Sequence, residues 1–250
     1  MKRIIIGNWK MNLTAKQSEI LINRLVENTE RPSADIVLCP NFVQLANINM
    51  LLKAKPGNKF KLGVQNINNH DLGAFTGEVS APMIKGLASY AIVGHSERRV
   101  NFGETDEMIS KKVSACLRNK IIPILCVGEN LHERQEGLAK RTVLDQLEED
   151  LSEITSAESA KIVIAYEPVW AIGTGKTASP YDVEDMLEGI YRYLVNKYTE
   201  PRADKISLLY GGSINAENAK SFLDLNKSGG LLVGGASLNY KAFSSICQLG

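Results

Sequence analysis

The sequence has little of what marks several large classes of protein. Its 250 residues include only four cysteines, with no Cys-x-x-Cys pair and no Cys/His cluster at zinc-binding spacing. No apolar run approaches the ~20 residues of a membrane-spanning helix. The start, MKRIIIGNWK, has three apolar residues before a glycine, too few for a secretory signal. We therefore expect a reduced, cytoplasmic protein without a structural metal.

An excess of charge of one sign is also lacking. Lys and Arg number 29 against 28 Asp and Glu, which gives a net charge of +1. This near-neutral balance argues against a surface for nucleic acid or for an anionic membrane. GTGKT at 173–177 resembles part of a nucleotide-binding loop. The Walker pattern, however, requires glycine at position 170, where the chain has tryptophan.

The sequence does contain a repeated apolar pattern. Short runs rich in Ile, Val and Leu recur eight times: RIIIGNW at 3, DIVLCP at 35, KLGVQN at 61, YAIVGHS at 90, IIPILCVG at 121, KIVIAYEP at 161, ISLLYGG at 206 and GLLVGG at 230. The runs are continuous rather than alternating, which is typical of parallel strands buried on both faces. Each run therefore predicts one strand of a parallel sheet.

The stretches between the runs have helical periodicity and helix-start signals. Thr14 and Gln17 predict a capping box before one helix. Ser179, followed by Pro180, predicts the start of another, and Asn215 is a third candidate cap. The chain therefore alternates between strands and helices.

This alternation predicts the fold class. Eight strand–helix repeats within 250 residues fit an α/β protein of the (β/α)8 barrel type. No composition shift or linker divides the chain, so we expect residues 1–250 to form a single domain. An open doubly wound sheet is the alternative. No G-x-G-x-x-G follows the first run, and the count of eight favours closure.

Polar residues and glycines stand where the predicted strands end. Strand ends of such a barrel share one rim, which holds the active site. Each residue alone also has a structural explanation, such as a turn or a solvated charge, and a lone histidine is structural about as often as not. Their joint placement favours a functional site. In strand order they are Asn8 and Lys10; Gln65 and Asn66; His95, Ser96 and Glu97; Glu129; Glu167; Gly211, Gly212 and Ser213; Gly234 and Gly235.

The glycine pairs after the last two strands point to a ligand. Gly211-Gly212 and Gly234-Gly235 leave backbone N–H groups open to close approach, and Ser213 adds a hydroxyl. A short helix is expected after Gly235. The loops after strands seven and eight commonly hold a phosphate in such barrels. The sequence therefore predicts a small phosphate ester as the ligand.

Several long motifs resemble the triosephosphate isomerase family. They are GNWKMN at 7–12, VGHSERR at 93–99, FGET at 102–105, CVGE at 126–129, AYEPVWAIGTGKTA at 165–178, YGGS at 210–213 and LVGGASL at 232–238. The resemblance extends from Ile6 to Leu238. The chain differs from the usual pattern at CPNF (39–42) and in the last helix, both away from the chemistry. The resemblance implies a (β/α)8 TIM barrel that interconverts dihydroxyacetone phosphate and D-glyceraldehyde 3-phosphate without a cofactor.

The resemblance implies a role for each catalytic residue. Glu167 would be the base that removes a proton from the carbon next to the carbonyl. His95, as a neutral imidazole, would polarise that carbonyl. Lys10 would be the fixed cation of the substrate site, with Asn8 beside it and Glu97 helping to order the site. The chemistry agrees, because an aldose–ketose isomerisation needs one base and one acid flanking two adjacent carbons.

Two features affect the protonation of His95 and the basicity of Glu167. A helix beginning at Ser96 would disfavour the imidazolium of His95 through its dipole. The resemblance also implies a lid, residues 168–178, that would remove water from Glu167 and raise its basicity when substrate is bound. Lys176, Thr177 and Ala178 would form its second hinge.

The resemblance further implies a phosphate site and latches for the lid. Gly173, Ser213, Gly234 and Gly235 would supply donors to the phosphate. Tyr210 and Ser213 would hold the lid when it is closed, whereas Glu129 would hold Trp170 when it is open.

The segment 66–80 is unusually long for a connection between a strand and a helix. Its middle would expose Phe75 on a glycine-flanked tip. The resemblance implies a homodimer in which this tip enters a pocket of the partner beside the active site. A surface loop with one stray aromatic is the alternative.

Two other functions fit parts of the pattern. An indole-glycerol-phosphate or phosphoribosyl isomerase-like enzyme would keep the barrel and the phosphate site, but it needs room for a larger ring and different acids. A phosphate-binding sensor would be expected to lack Glu167, His95 or Lys10, and all three are present.

Overall fold

The apolar runs form a closed parallel barrel in the computed structural model, which describes residues 2–30, 32–55, 57–172 and 177–250. Each strand pairs with its sequence neighbours, and β1 closes the barrel against β8. The strands are β1 Ile4–Asn8, β2 Asp35–Cys39, β3 Phe60–Val64, β4 Tyr90–Val93, β5 Ile122–Val127, β6 Val163–Tyr166, β7 Ser207–Tyr210 and β8 Ser228–Val233. The predicted (β/α)8 architecture is confirmed.

Helices cover the outside of this barrel. Two short 3-10 turns, Val169–Ala171 and Gly235–Leu238, follow β6 and β8. The second is the short helix expected after Gly235. The α-helices are α1 Ala15–Asn28, α2 Phe42–Lys53, α3 Ala81–Ile84, α4 Ser96–Phe102, α5 Asp106–Arg118, α6 Leu131–Gln135, α7 Ala139–Asp150, α8 Ser156–Ser159, α9 Pro180–Lys197, α10 Glu200–Ala203, α11 Ala219–Leu223 and α12 Tyr240–Leu249.

Two of the three predicted helix-capping residues are confirmed. Thr14 and Gln17 form the capping box of α1, and the Ser179 side chain accepts the N–H of Asp182 at the start of α9. The prediction for Asn215 is wrong, since α11 begins only at Ala219. The Asn215 carboxamide oxygen instead accepts two backbone N–H groups, from residues 217 and 218, and so closes a turn before the helix.

Alternate strand residues serve two separate apolar layers. Ile4 and Ile6 belong to a cluster made entirely of strand residues, which is the interior of the barrel. Ile5, between them, packs instead with residues of the surrounding helices. Both layers are apolar, which explains why the strand sequences are continuous rather than alternating. A barrel filled in this way leaves room for polar groups at its ends.

Candidate active site

The functional candidates meet at one end of the barrel. Because every strand is parallel to its neighbours, the carboxyl ends share one rim. A small cavity of about 30 Å³ lies within this rim, and Asn8, Lys10, His95, Glu167 and Gly234 all contribute to its walls. The cavity therefore collects residues that are far apart in the sequence.

Glu167 and His95 form the centre of the site. Oε1 of Glu167 lies 3.1 Å from Nε2 of His95. Its other oxygen accepts the backbone N–H of Ser96 at 3.2 Å. Glu167 is 3% exposed and His95 5% exposed. A carboxylate and an imidazole shielded from water in this way can both exchange protons with a bound ligand.

The hydrogen bonds of His95 define which nitrogen holds its proton. Nδ1 accepts the backbone N–H of Glu97 at 3.2 Å, because His95 is the N-cap residue of α4. A nitrogen that accepts a hydrogen bond has no proton. In the neutral ring the proton is therefore on Nε2, where it faces Glu167.

Opposing influences act on the pKa of His95. Burial lowers this pKa, but the Glu167 carboxylate raises it by more, so the net direction is upward. The predicted start of α4 at Ser96 is confirmed. The backbone N–H that Nδ1 accepts stabilises the neutral ring, but the Glu167 carboxylate outweighs this effect. Moving Glu167 away from Nε2 would remove the largest influence that favours the imidazolium.

Glu167 is a weak base in this arrangement. Burial raises the pKa of its carboxyl, but His95 and the Ser96 backbone N–H lower it by more, so the net direction is downward. Each hydrogen bond to the carboxylate stabilises its charged form. Breaking these bonds in a dry site would therefore raise the basicity of Glu167.

Lys10 is held in a constrained backbone conformation. Its φ of 52° lies in the left-handed region that side-chain-bearing residues seldom adopt. The Asn8 carboxamide accepts the Lys10 N–H at 3.1 Å, and the Gln65 side chain donates to the Lys10 carbonyl at 2.8 Å. The ammonium donates to Glu97 at 2.6 Å. These contacts hold the cation of Lys10 at the rim.

The glycines after β7 and β8 differ in their surroundings. A Cβ atom at Gly212 would lie 2.2 Å from the Tyr210 hydroxyl oxygen, so a side chain there would require the buried Tyr210 ring to move. Among the described residues, a Cβ at Gly234 would meet only Lys10, whose Cε would be 3.6 Å away, and one at Gly235 would meet nothing within 4 Å. The backbone of Gly234 and Gly235 is therefore open to a ligand beside the Lys10 ammonium.

The residues that follow Glu167 are anchored to neighbouring loops. The Trp170 indole N–H donates to the Glu129 carboxylate at 2.8 Å, and the Tyr166 hydroxyl donates to the same oxygen at 3.1 Å. The Ser213 hydroxyl donates to the Ala171 carbonyl at 2.7 Å. The start of the segment 168–178 is thus attached to the ends of both β5 and β7.

Part of the predicted lid and phosphate site lies outside the described residues. Gly173, a predicted phosphate donor, and Lys176, from the second hinge, fall within the gap 173–176. Ala178, on the far side of the gap, is buried. Burial raises the pKa of Tyr210 to about 12, although the Ala178 backbone N–H opposes this rise. Tyr210 is therefore close to the end of the segment.

A glutamine on α7 supports the backbone of Glu167. The side chain of Gln146 accepts the Gly128 N–H at 2.9 Å and donates to the Gly128 carbonyl at 3.1 Å. A Cβ at Gly128 would lie 1.7 Å from the carbonyl oxygen of Glu167, so only glycine fits. The Glu167 N–H donates to Val127 at 2.8 Å. This segment therefore fixes the height of the carboxylate at the rim.

A buried charge cluster supports α4 from below. The Glu104 carboxylate accepts hydrogen bonds from Lys112 and Arg98, and Lys112 also donates to Asn66 at 2.8 Å. Burial raises the pKa of Glu104, but Lys112 and Arg98 lower it by more, so the net direction is downward. Burial lowers the pKa of Lys112 in spite of the nearby carboxylate. The lysine therefore depends on Glu104 to remain charged.

We expect Glu104→Gln to lower the free energy of unfolding by about 3–5 kcal/mol at pH 7, because it leaves a buried cation unpaired. A carboxyl whose pKa is lowered by folding stabilises the protein above its unfolded-state pKa and loses this effect as the pH falls through its folded-state pKa. The difference from the parent protein should therefore narrow as the pH falls below about 4.3. Urea unfolding of the parent and of Glu104→Gln, at fixed protein concentration and a series of pH values, would measure the difference in the free energy of unfolding. A difference independent of pH would contradict the assigned charge.

The structure places the five predicted catalytic residues around one cavity or one bond away from it: Asn8, Lys10, His95, Glu97 and Glu167. Sequence reasoning did not identify Gln146 or Arg134, which contact the loops that hold the site. Both lie on helices outside the recognised motifs. Their contacts join elements that are separate in the sequence, so no local pattern marks them.

The long loop 66–80 is ordered by its own chain. Arg118 of α5 donates to both oxygens of the Asp71 carboxylate, with its shortest hydrogen bond at 2.8 Å, and His70 stacks on Phe75 with ring centroids 4.4 Å apart. Phe75 is 44% exposed and Leu72 is 87% exposed. The loop thus presents apolar side chains to solvent on a supported backbone.

Comparisons with known proteins agree with the motifs. A family model described as triosephosphate isomerase matches residues 3–250. A triosephosphate isomerase from Aquifex aeolicus is 45% identical over 248 residues, which are 98% of each chain. One from Alkaliphilus metalliredigens is 44% identical over 246 residues, again 98% of each chain. Among the described residues, no helix is long and apolar enough to cross a membrane.

Proposed function

Because this chain belongs to the triosephosphate isomerase family, we propose that Glu167, His95 and Lys10 are its catalytic residues. The chain catalyses the interconversion of dihydroxyacetone phosphate and D-glyceraldehyde 3-phosphate. The observation that carries the assignment is the 3.1 Å contact between Glu167 and His95 in a shielded cavity that also includes Lys10. One base, one acid and one cation suffice for the reaction.

The first step removes a proton from carbon. When the substrate carbonyl oxygen accepts a hydrogen bond from the Nε2–H of His95, Glu167 loses its own hydrogen bond to that group. The Glu167 carboxylate then becomes a stronger base. Its carboxylate then accepts a proton from the carbon next to the carbonyl. The product of this step is an enediolate, whose oxygen is stabilised by the Lys10 ammonium and by the Nε2–H of His95.

The second step returns the proton to the neighbouring carbon. His95 transfers a proton between the two substrate oxygens through Nε2, which leaves the hydrogen bond from Glu97 to Nδ1 intact. Glu167 then donates its proton to the adjacent carbon and regains its charge. Both residues end the cycle as they began it, so the chemistry is complete with side chains alone.

The phosphate is proposed to bind beside the Lys10 cation. The open backbone at Gly234 and Gly235 supports this position, because an added Cβ at either glycine would contact no described side chain except that of Lys10. Ser213 and Gly173 complete the proposed set of donors. In the described arrangement the Ser213 hydroxyl bonds to Ala171, so it would have to exchange partners when the ligand binds.

Residues 168–178 are proposed to form a lid over this site. The anchored start at Trp170 and the buried Ala178 support two fixed ends. Because Ile172 contributes to the wall of the cavity, closure would place an apolar side chain close to Glu167. Removing water there raises the basicity of the carboxylate and protects the enediolate from loss of phosphate.

A coupled assay tests the function as a whole. The chain would be supplied with D-glyceraldehyde 3-phosphate, and formation of dihydroxyacetone phosphate would be followed through a dehydrogenase that oxidises NADH. Turnover above that of a Lys10→Met control supports the proposal. Binding of the phosphate ester without turnover would instead indicate a sensor.

A homodimer formed through loop 66–80 is also proposed. The exposed tip at Phe75 supports a docking role, and a cavity of about 420 Å³ beside Lys10 and His95 supports a site for it. Met11 and Phe102 line this cavity and are 96% and 67% exposed. The tip of one chain would cover these apolar side chains on its partner.

Shortening residues 69–78 to a tight turn is expected to give a folded monomer, because the barrel closes without them. Turnover should fall on the order of 10²-fold, since the residues beside the tip would lose their positioning. Light scattering would measure mass, and the coupled assay activity. A shortened variant that stays dimeric, or a fully active monomer, would disprove the role of the loop.

We also propose that residues 1–250 act as one domain in the cytoplasm. All four cysteines are free and buried, which fits a reducing compartment.

A further inference from the structure

Arg134 contacts three groups around the start of the proposed lid. It lies in α6 with its side chain 27% exposed, and its guanidinium carbon is 5.0 Å from the centre of the Trp170 ring. One of its nitrogens lies 2.5 Å from the Asp182 carboxylate, and another lies 3.4 Å from that of Glu129. A single planar cation therefore interacts with an aromatic ring and two carboxylates.

Trp170 and Asp182 lie at opposite ends of the segment 168–178, one just inside its start and the other just beyond its end. Trp170 lies two residues after Pro168, where the segment begins. Asp182 lies in the first turn of α9, which Ser179 caps immediately after the segment ends. Arg134 thus connects the two ends of the segment through a third element, α6, that belongs to neither.

Glu129 depends on the same guanidinium. Its carboxylate is fully buried and accepts the Trp170 and Tyr166 hydrogen bonds on one oxygen. A buried carboxylate is costly unless a cation accompanies it, and Arg134 supplies that cation. The bond that holds Trp170 therefore relies indirectly on Arg134 as well.

We propose that Arg134 is a positioning residue that preorganises both ends of the lid for ligand binding. The proposal rests on the lid assigned under the proposed function. With both ends held, Trp170 and the start of α9 are already in place when a ligand binds. Without Arg134, part of the binding free energy would be spent on ordering Trp170 and the start of α9, so affinity would fall.

The test compares Arg134→Met, Asp182→Asn and the double variant with the parent protein. We expect Arg134→Met to raise KM and weaken binding of 2-phosphoglycolate by roughly 3- to 10-fold, with a smaller change in kcat. Asp182→Asn should have a smaller effect in the same direction. The double variant should be no worse than Arg134→Met, because both substitutions break the same connection.

Two further measurements separate positioning from a merely structural role. The chain has two tryptophans, so fluorotryptophan labelling gives two resonances, of which Trp170 reports on the lid. In ligand-free Arg134→Met this resonance should shift or broaden, and saturating 2-phosphoglycolate should restore it. Arg141→Met is the matched control, since Arg141 forms an exposed ion pair with Asp145 on α7. Arg141→Met should change neither the affinity for 2-phosphoglycolate nor the Trp170 resonance.

Unchanged KM and 2-phosphoglycolate affinity in Arg134→Met, or additive effects in the double variant, would overturn the proposal. If Arg134→Met fails to fold, the 2-phosphoglycolate affinity and the Trp170 resonance of Asp182→Asn still test the proposal. Absence of turnover in the parent protein would contradict the proposed function instead, so the two failures are distinguishable.

Discussion

Replacing Glu167 with glutamine is expected to lower kcat by ~10²–10⁴-fold, because the amide cannot accept the substrate proton. The substitution keeps the size of the side chain, and its carbonyl oxygen can still accept the Ser96 N–H, which lies 3.2 Å away in the parent. Binding of the phosphate ester should therefore largely survive. The coupled assay would measure kcat, and calorimetry with 2-phosphoglycolate would measure affinity.

A matched control keeps this result specific. Glu19 is an exposed glutamate on α1, so Glu19→Gln removes a carboxylate without touching the rim. It should leave kcat unchanged. If Glu167→Gln retained near-normal kcat in purified protein, another group would have to be the base. A loss confined to KM would likewise remove Glu167 from the chemical step.

The second large effect is expected for Gly234→Asp. A Cβ at this position would lie 3.6 Å from Cε of Lys10 and 3.9 Å from its Nζ. The new carboxylate would therefore pair with the Lys10 ammonium and occupy the place proposed for the phosphate. We expect affinity for 2-phosphoglycolate to fall by on the order of 10²-fold or more, the scale of one lost charge-assisted contact combined with like-charge repulsion.

Gly234→Ala separates the charge from the added bulk. Alanine introduces the same Cβ at an ordinary contact distance from Lys10 and keeps the backbone N–H. It should reduce affinity only slightly. Equal losses of 2-phosphoglycolate affinity in Gly234→Ala and Gly234→Asp would show that the added bulk, rather than the added charge, weakens binding. An aspartate variant that binds 2-phosphoglycolate normally would place the phosphate elsewhere.

The described contacts explain why some predictions from sequence were reliable and others were not. The capping box at Thr14 and Gln17 was predicted correctly because its bonds join residues three apart. The prediction at Asn215 was wrong although asparagine suits a cap. Its side chain closes a turn as readily as it starts a helix, and the following residues decide between them.

The roles of Arg134 and Gln146 could not have been predicted from sequence. Arg134 meets Asp182 across 48 positions, and Gln146 meets Gly128 across a helix boundary. Neither lies in a motif, and a lone arginine or glutamine on a helix is ordinarily a solvated residue. Only the tertiary arrangement that places α6 beside the start of α9, and α7 beside the end of β5, brings these pairs together.

The sequence alone determined the barrel, since the apolar run that predicts a strand is a local property and recurs eight times along the chain. It also determined which residues stand at the strand ends, because position along a parallel strand translates directly into position at the rim. Tertiary structure decided the distances and the charges. The 3.1 Å contact of Glu167 with His95 and the bond from the Gln65 side chain to the left-handed backbone of Lys10 arise from residues that meet only when the barrel closes. The hydrogen bond that keeps the proton off Nδ1 of His95 is local, since its donor, Glu97, is two residues away. The tertiary contacts act over a few ångströms between residues that are far apart in the chain, so the order of the residues alone does not specify them.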